Sequence, residues 1–518
     1  MSNPLYAFPA VCEQTLRALA RYPSRTAFAW PGGSLSYQGA TDLIGRMQSV
    51  FMRLGFAPGT RVAMLTANRA DTWCAGVAAQ LSRCCITWRH PLGSETDQLF
   101  QLEDSEAEML VVDVAAFRDR GGELSTKATR LKAVFTMGPA DYGVDLLQAI
   151  EGAGHARARC LASLDDLSTL NYTGGTTGKS KGALRYHREN AGAAGAILAD
   201  FEIPDAARYL TVAPISHVAG TKVLPTLMRG GTVHMLKGFD PEAVLATIAR
   251  ERINFTLFVP IYVLLDHPAL DKTDLSSLEL VLYGASAMSP SRLIEGIERI
   301  GPVFSQLYGQ TECYPVSVLR KKDHDPKTPE LFLSCGYPIA ACEVKILDDN
   351  DEEVKTGDAG EICVRAPHVM AEYWKRPDIT AETLKNGWVH TGDIARQDER
   401  GYMFILDRKK DMIVTGGFNI FPREVEDVLS QHADVAMVAV VGIPDEKWGE
   451  AVTAIVVPRE GAKPDPDELI NMVRTRKGSA HPPKQIQFVK QLPMTGVGKV
   501  DKKVLRAGFW SGRDRMVG

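Results

Sequence analysis

Nine cysteines are scattered through the chain, yet no C-x-x-C pair and no H-E-x-x-H segment occurs among its 518 residues. The spacing therefore shows no zinc or redox framework, and the expectation is reduced, mostly buried thiols in a cytoplasmic protein. Long apolar runs are missing too. The longest, FTLFVPIYVLL at 255–265, is short and interrupted by Pro260, so no membrane span is expected. The first residues, MSNPLYAFPAVCEQTLRALARYP, lack a basic stretch followed by an apolar one and read as an ordinary first helix, without signal peptide or anchor. No block of like charge stands out: 59 basic residues face 63 acidic ones for a net charge of −4. That balance implies neither nucleic acid nor an anionic membrane as partner and points to a small molecule. Internal repeats and low-complexity tracts are absent, and only residues 508–518 read as a loose tail.

What is present is an ordinary globular composition, 45% hydrophobic and 24% charged. The length exceeds what one core usually supports, so a large domain with a smaller one is expected. Apolar runs such as RVAMLTAN, EMLVVDV, LKAVFTM, RYLTVAP, GTVHML and LELVLYG alternate with helix-period segments such as TDLIGRMQSVFMRLG and PEAVLATIARERI. This alternation predicts an α/β fold of layered sheets and helices. From about residue 340 the strands shorten (CEVKILDDNDEEV, GEICVRAP, GYMFILDR), which reads as a β-rich subdomain. After DRKKD, an α+β module of about 110 residues follows, a plausible size for a separate domain. The boundary is placed at Asp407, giving domains 1–407 and 408–518.

Residues 173–182, TGGTTGKSKG, combine glycines, hydroxyls and lysines in a loop suited to an oligophosphate. A P-loop needs four residues between its glycines, whereas Gly174 and Gly178 enclose three. A P-loop also opens a helix, while GALRY follows here. The reading is strand, glycine-rich loop, strand; a merely solvated turn is the plain alternative. Three further stretches carry site-like chemistry. LYGQTE at 307–312 offers an aromatic, a glycine, polar side chains and a carboxylate able to hold a hard cation. HTGDIARQDERGYMFILDRKKD at 390–411 contains Asp393, Arg408 and Lys410, and PMTGVGKVDKK at 493–503 isolates Lys499 after two glycines. Taken singly, each is equally a helix cap, a solvated hairpin or a surface loop.

Together, in this order and at these separations, the four motifs resemble the adenylate-forming superfamily of acyl-CoA synthetases, peptide-synthetase adenylation domains and luciferases, from roughly residue 10 to residue 506. The resemblance implies a large domain, a small mobile one, and the following roles. Thr173, Gly174, Thr176, Thr177 and Lys181 would cradle the β- and γ-phosphates of ATP, with Ser180 standing where proline is usual. YGASAMS at 283–289 is similar to the strand lining the adenine and acyl pockets, with Gly284, Ala285 and Ser286 at the site and Tyr308 and Gly309 beside the base. It is no nucleophile elbow, because Met288 stands where that motif needs glycine. Thr311 and Glu312 would serve phosphate and Mg²⁺, Asp393 and Arg408 the ribose, and Lys499 the reacting phosphate. His217, in APISHVAG, would border the carboxylate of the acid. Lys410 takes the hinge position, and Gly416 and Gly417 would line the acceptor tunnel.

The implied reaction is attack of a carboxylate on the α-phosphate with loss of pyrophosphate, then transfer of the acyl group to a thiol or amine. Catalysis of the first step is positioning plus neutralisation of negative charge. CoA is the expected acceptor. An amine remains the alternative, as in coronafacate-type ligases, which the HPLG stretch at 90–93 resembles weakly. In TRKGSAHPPKQIQFV, His481 and Pro482 stand where a lysine and a small or apolar residue are more familiar, while Arg474, Arg476, Lys477 and Lys484 remain. A non-catalytic binder and a P-loop ATPase are the readings from other classes. The identity of the acid, beyond an apolar, aromatic or alicyclic body, and the choice between monomer and homodimer stay open.

Overall fold

The computed structural model describes residues 8–510 except 56, 153, 155, 174–179, 259–260, 285–287, 289, 416–417, 446, 480 and 495–499. Gly174, Thr176, Thr177, Ala285, Ser286, Gly416, Gly417 and Lys499 therefore lie outside the described residues.

The apolar runs form two large sheets. Nine strands, mostly parallel, run from Thr26–Trp30 and Gly33–Ser36 at one edge through Thr232–Met235, Arg208–Thr211, Phe255–Phe258, Leu280–Gly284 and Phe304–Tyr308 to Ser317–Leu319 and Tyr337–Pro338 at the other. The second sheet has eight strands and carries Arg61–Leu65, Cys85–Trp88 and Met109–Val112 in its parallel part. At its other end Leu167–Tyr172 and Gly182–Tyr186 pair antiparallel, so the phosphate-loop motif joins two strands of a hairpin. Their side chains share one core: Phe28, Phe255 and Leu282 of the first sheet, Val62, Ile86 and Met109 of the second, and Ile44, Cys74 and Ile197 of the helices between them. Strands buried on both faces read as continuous apolar runs, which is why the sequence displays them clearly.

Helix boundaries follow local chemistry. Asp240 caps Pro241–Glu251 by accepting the Ala243 N–H at 2.8 Å, with proline at the first position. In His187–Asp200, Glu189 turns back to accept the Tyr186 N–H at 2.6 Å.

The β-rich texture after residue 340 is a third sheet containing Glu343–Leu347, Gly360–Arg365, Trp388–Gln397 and Met403–Arg408. A fourth belongs to the smaller C-terminal domain: Ile413–Thr415, Phe418–Ile420, Val435–Asp445, Gly449–Pro458 and Gln485–Phe488, with helices Pro422–Leu429 and Pro466–Lys477 packed on a core that includes Val425, Val440, Val452 and Leu469. The start of the expected tail is docked, because the Trp510 indole N–H donates to Gly442 O at 2.9 Å. Among the described residues no helix is long and apolar enough to cross a membrane.

Candidate active site

Asp393 and Arg408 face each other across the antiparallel pair Trp388–Gln397 and Met403–Arg408. The approach to Asp393 is set by HTGD itself. Gly392 takes φ +69°, a conformation that suits glycine, and donates its N–H to Glu361 at 2.8 Å. Thr391 Oγ1 donates to Ile362 O at 2.7 Å and accepts the Asp393 N–H at 3.1 Å. The buried Asp393 carboxylate then collects three donors. Tyr308 Oη at 2.6 Å and Gln310 Nε2 at 2.5 Å share Oδ2, and Arg408 Nε stands 2.6 Å from Oδ1. Burial and the Asp393 charge push the Tyr308 hydroxyl far above the ordinary tyrosine range, so it stays a donor. Burial works to lower Arg408, but Asp393, Tyr308 and Glu312 outweigh it and hold the guanidinium more firmly charged.

Two residues beyond Gln310, the carboxylate of Glu312 accepts the Tyr373 hydroxyl. Lys181, the last lysine of the phosphate-loop motif, lies over the same tyrosine ring at 4.8 Å. Thr173 N–H donates to Lys181 O at 2.9 Å and closes the base of the hairpin. Ser180, in the place of the usual proline, accepts from Gln101 Nε2 at 3.2 Å. Lys410, in the turn Lys409–Asp411, is lowered by burial, with Arg408, Arg506 and Lys181 adding to the effect and Asp411 opposing it. The structure thus brings Thr173, Lys181, Tyr308, Thr311, Glu312, Asp393, Arg408 and Lys410 into one neighbourhood.

Gly284 ends the strand beside Phe304–Tyr308, where a Cβ would sit 2.4 Å from Leu307 O. Close strand approach alone demands its small size. At Gly309 a Cβ would meet the Tyr314 ring at 2.7 Å. His217 is engaged by other side chains. Its Nδ1 pairs with Ser216 Oγ at 2.7 Å, and its ring meets that of His90 edge-on at 4.5 Å. Burial, with His90 beside it, pushes His217 down to about 4, so it is neutral at pH 7.

Several supporting residues escape sequence reading. Arg185, fully buried, donates to Thr311 O and, at 3.4 Å, to His368 O. Lys222, also fully buried, donates to the Tyr314 hydroxyl, to Thr221 Oγ1 at 3.0 Å and to Val218 O at 3.3 Å, tying the His217 loop to the turn after Glu312. Tyr373 arrives from a strand far along the chain. Only His90, in HPLG, had any signal in the sequence. A cleft of about 1020 Å³ lined by Trp30, Arg208 and His234 includes none of the motif residues.

A layered α/β domain with a smaller α+β domain behind it, and a carboxylate–arginine–tyrosine cluster beside a glycine-rich hairpin, define an adenylate-forming enzyme. The AMP-binding enzyme family matches residues 16–374, and the AMP-binding enzyme C-terminal domain matches residues 424–499. The chain belongs to that family. The medium/long-chain-fatty-acid–CoA ligase FadD8 of Mycobacterium tuberculosis is 43% identical over 94% of this chain and 87% of its own length. Feruloyl-CoA synthase of an Amycolatopsis species is 35% identical over 94% of this chain and 96% of its own. Among solved structures, the amide bond synthetase McbA from Marinactinospora thermotolerans superimposes with a TM-score of 0.89 at 33% identity, covering 97% of this chain and all of that one (100%).

Proposed function

We propose that this chain uses ATP to convert a carboxylic acid to its acyl-adenylate, releasing pyrophosphate, and then transfers the acyl group to CoA. The observation that carries the adenylation step is the Asp393 carboxylate held among Tyr308, Gln310 and Arg408, next to Glu312 and Lys181. A carboxylate has about four lone-pair sites. Two donors fill Oδ2 and one uses Oδ1. Ribose hydroxyls therefore enter at Oδ1, sharing it with Arg408 or displacing that residue toward the phosphates.

In this reading Thr173, Gly174, Thr176, Thr177 and Lys181 hold the β- and γ-phosphates, and Gly284, Ala285, Ser286, Tyr308 and Gly309 bound the base. Lys499 neutralises charge that moves toward the leaving pyrophosphate. The donors at Thr311 and Glu312 fit Mg²⁺, a hard cation that takes oxygen ligands: among the described residues Glu312 gives one oxygen to Tyr373 and no hydrogen bond engages the other. When bound, Mg²⁺ would neutralise phosphate charge. Neutral His217 borders the acid without adding a second cation to the carboxylate. The division into 1–407 and 408–518, with rotation about Lys410 that withdraws Lys499 and brings Gly416 and Gly417 to the acyl group, belongs to the same proposal.

CoA is favoured by the likeness along nearly the whole chain to ligases whose names specify CoA. One observation supports an amine instead. Lys477 pairs with Glu424 at 3.0 Å, His481 Nε2 lies 3.6 Å from the same carboxylate, and Arg476 donates to Gln431, so two cations near the expected phosphate rim, Lys477 and Arg476, are already engaged. The likeness to an amide bond synthetase points the same way. The test supplies ATP, Mg²⁺ and a panel of aromatic, alicyclic and aliphatic acids with CoA, small amines or amino acids, and identifies products by mass spectrometry. Acyl-CoA is expected; amide at modest amine concentration with no acyl-CoA under saturating CoA overturns the choice of acceptor.

A further inference from the structure

His90 and His217 belong to different sheets, and their loops meet. His90 follows Cys85–Trp88, in the parallel part of the second sheet, and His217 follows Arg208–Thr211, a parallel strand of the first. Both loops leave the carboxyl ends of their strands, the side on which parallel α/β sheets hold ligands. The two rings stand edge-on at 4.5 Å. We propose that His90 is a second residue of the acid site, donating from Nε2 to a carboxylate oxygen of the acid beside His217. This rests on the adenylation reading and adds to it a residue from the opposite sheet.

Position is the first argument. The adjoining Arg89, fully buried, lies over the Tyr172 ring at 5.1 Å and donates to Gln101 at 3.2 Å, while Gln101 donates in turn to Ser180 Oγ at 3.2 Å. His90 is thereby tied to the phosphate-loop motif. On the other side, the loop of His217 is joined through Lys222, which donates to Val218 O at 3.3 Å and to the hydroxyl of Tyr314, two residues beyond Glu312. The imidazole pair thus stands between the phosphate hairpin and the Glu312 turn, where the adenylation reading has the acid meet the α-phosphate.

The ring proton is the second. HPLG closes as a turn, with Pro91 in its second position and the Gly93 N–H donating to His90 O at 3.0 Å. Gln98 Nε2 donates to the same carbonyl at 2.8 Å. Within this turn the Leu92 N–H donates to His90 Nδ1 at 3.1 Å, which leaves the proton of the neutral ring on Nε2. Burial lowers His90 and so favours that neutral form. Among the described residues no hydrogen bond engages Nε2.

A neutral donor suits the chemistry. It holds one carboxylate oxygen through a charge-assisted hydrogen bond and leaves the other to attack phosphorus, without cancelling the charge that makes it a nucleophile. With its proton on Nε2, His90 is a donor to the acid and not a base toward a thiol or amine.

The experiment measures acid-dependent exchange of pyrophosphate into ATP by the full-length protein, using whichever acid of the panel above supports AMP release in the parent. His90→Phe keeps a ring against His217 and deletes the donor. It should raise KM for the acid by about ten- to a hundredfold, the usual effect of losing a hydrogen bond to a charged group, with KM for ATP unchanged. His90→Gln, which places an N–H donor near the Nε2 position, should recover most of that loss. Should His90→Phe not fold, His90→Leu against His90→Gln gives the same contrast. A parent-like KM for the acid in the variants without a donor, an equal loss in His90→Gln, or a matching rise in KM for ATP overturns the role of His90. Absence of acid-dependent AMP release in the parent itself overturns instead the adenylation reading beneath it.

Discussion

The Arg408 guanidinium stands 2.6 Å from the Asp393 carboxylate, and the two residues are opposite partners in one strand pair. Removing the carboxylate leaves Arg408, Tyr308 and Gln310 without their shared acceptor and removes the proposed ribose contact. A hydrogen bond to a charged group is worth about 1.5–3 kcal/mol, so Asp393→Ala should weaken ATP binding by roughly ten- to a hundredfold. Calorimetric titration with ATP checks this. An unchanged dissociation constant would remove Asp393 from the nucleotide site.

Tyr373 donates to Glu312 and fixes the orientation of its carboxylate. Tyr373→Phe keeps the ring under Lys181 while deleting the donor. Loss of such an outer hydrogen bond typically costs about ten- to a hundredfold in metal affinity. The activation curve for Mg²⁺ at fixed ATP should shift by about tenfold to higher concentration, with little change in affinity for the acid. A curve superimposable on that of the parent would mean Glu312 does not serve the cation.

Lys499→Ala should lower acyl-adenylate formation by about 10²–10³-fold, the usual cost of deleting a charge-stabilising donor. Thioester formation from supplied acyl-adenylate should be nearly unaffected, since the proposal has the lysine serve only the first step. Pre-steady-state assays of the two half-reactions separate these outcomes, and equal losses in both would refute the division of labour.

Acid should destabilise the protein before its carboxylates titrate. Burial holds His187, His217, His234 and His324 each at about 4 against an ordinary 6.5. Between those values the unfolded chain binds more protons than the folded one, so stability rises with pH and is lost as pH falls from about 6.5 toward 4. Glu426 and Asp427, raised by burial, pull in the opposite direction. The four histidines should outweigh them, giving a melting temperature that falls steadily from pH 7 to pH 5. A flat or inverted profile over that range would contradict the burial of neutral imidazoles.

The layered α/β fold was legible because its parallel strands are buried on both faces, as in Arg61–Leu65 and Leu280–Gly284, and appear as plain apolar runs. The hairpin around the phosphate loop was legible because its spacing fails the P-loop rule and GALRY reads as a strand. Tyr373, Arg185 and Lys222 were not legible. Each acts through long-range contacts, among them those to Glu312, Thr311 and Tyr314 respectively, and a single tyrosine, arginine or lysine in an unmarked segment carries no local pattern. Trp510 shows the converse error: a segment that reads as a loose tail is pinned at its start by one indole hydrogen bond.

The most direct test of the account is the fate of the nucleotide. With ATP, Mg²⁺, a turned-over acid and CoA, chromatography of the spent reaction should show AMP and pyrophosphate in amounts equal to the acyl product, formed only when the acid is present. Formation of ADP and orthophosphate without AMP would contradict adenylation and, with it, the roles assigned to Asp393, Glu312 and Lys499.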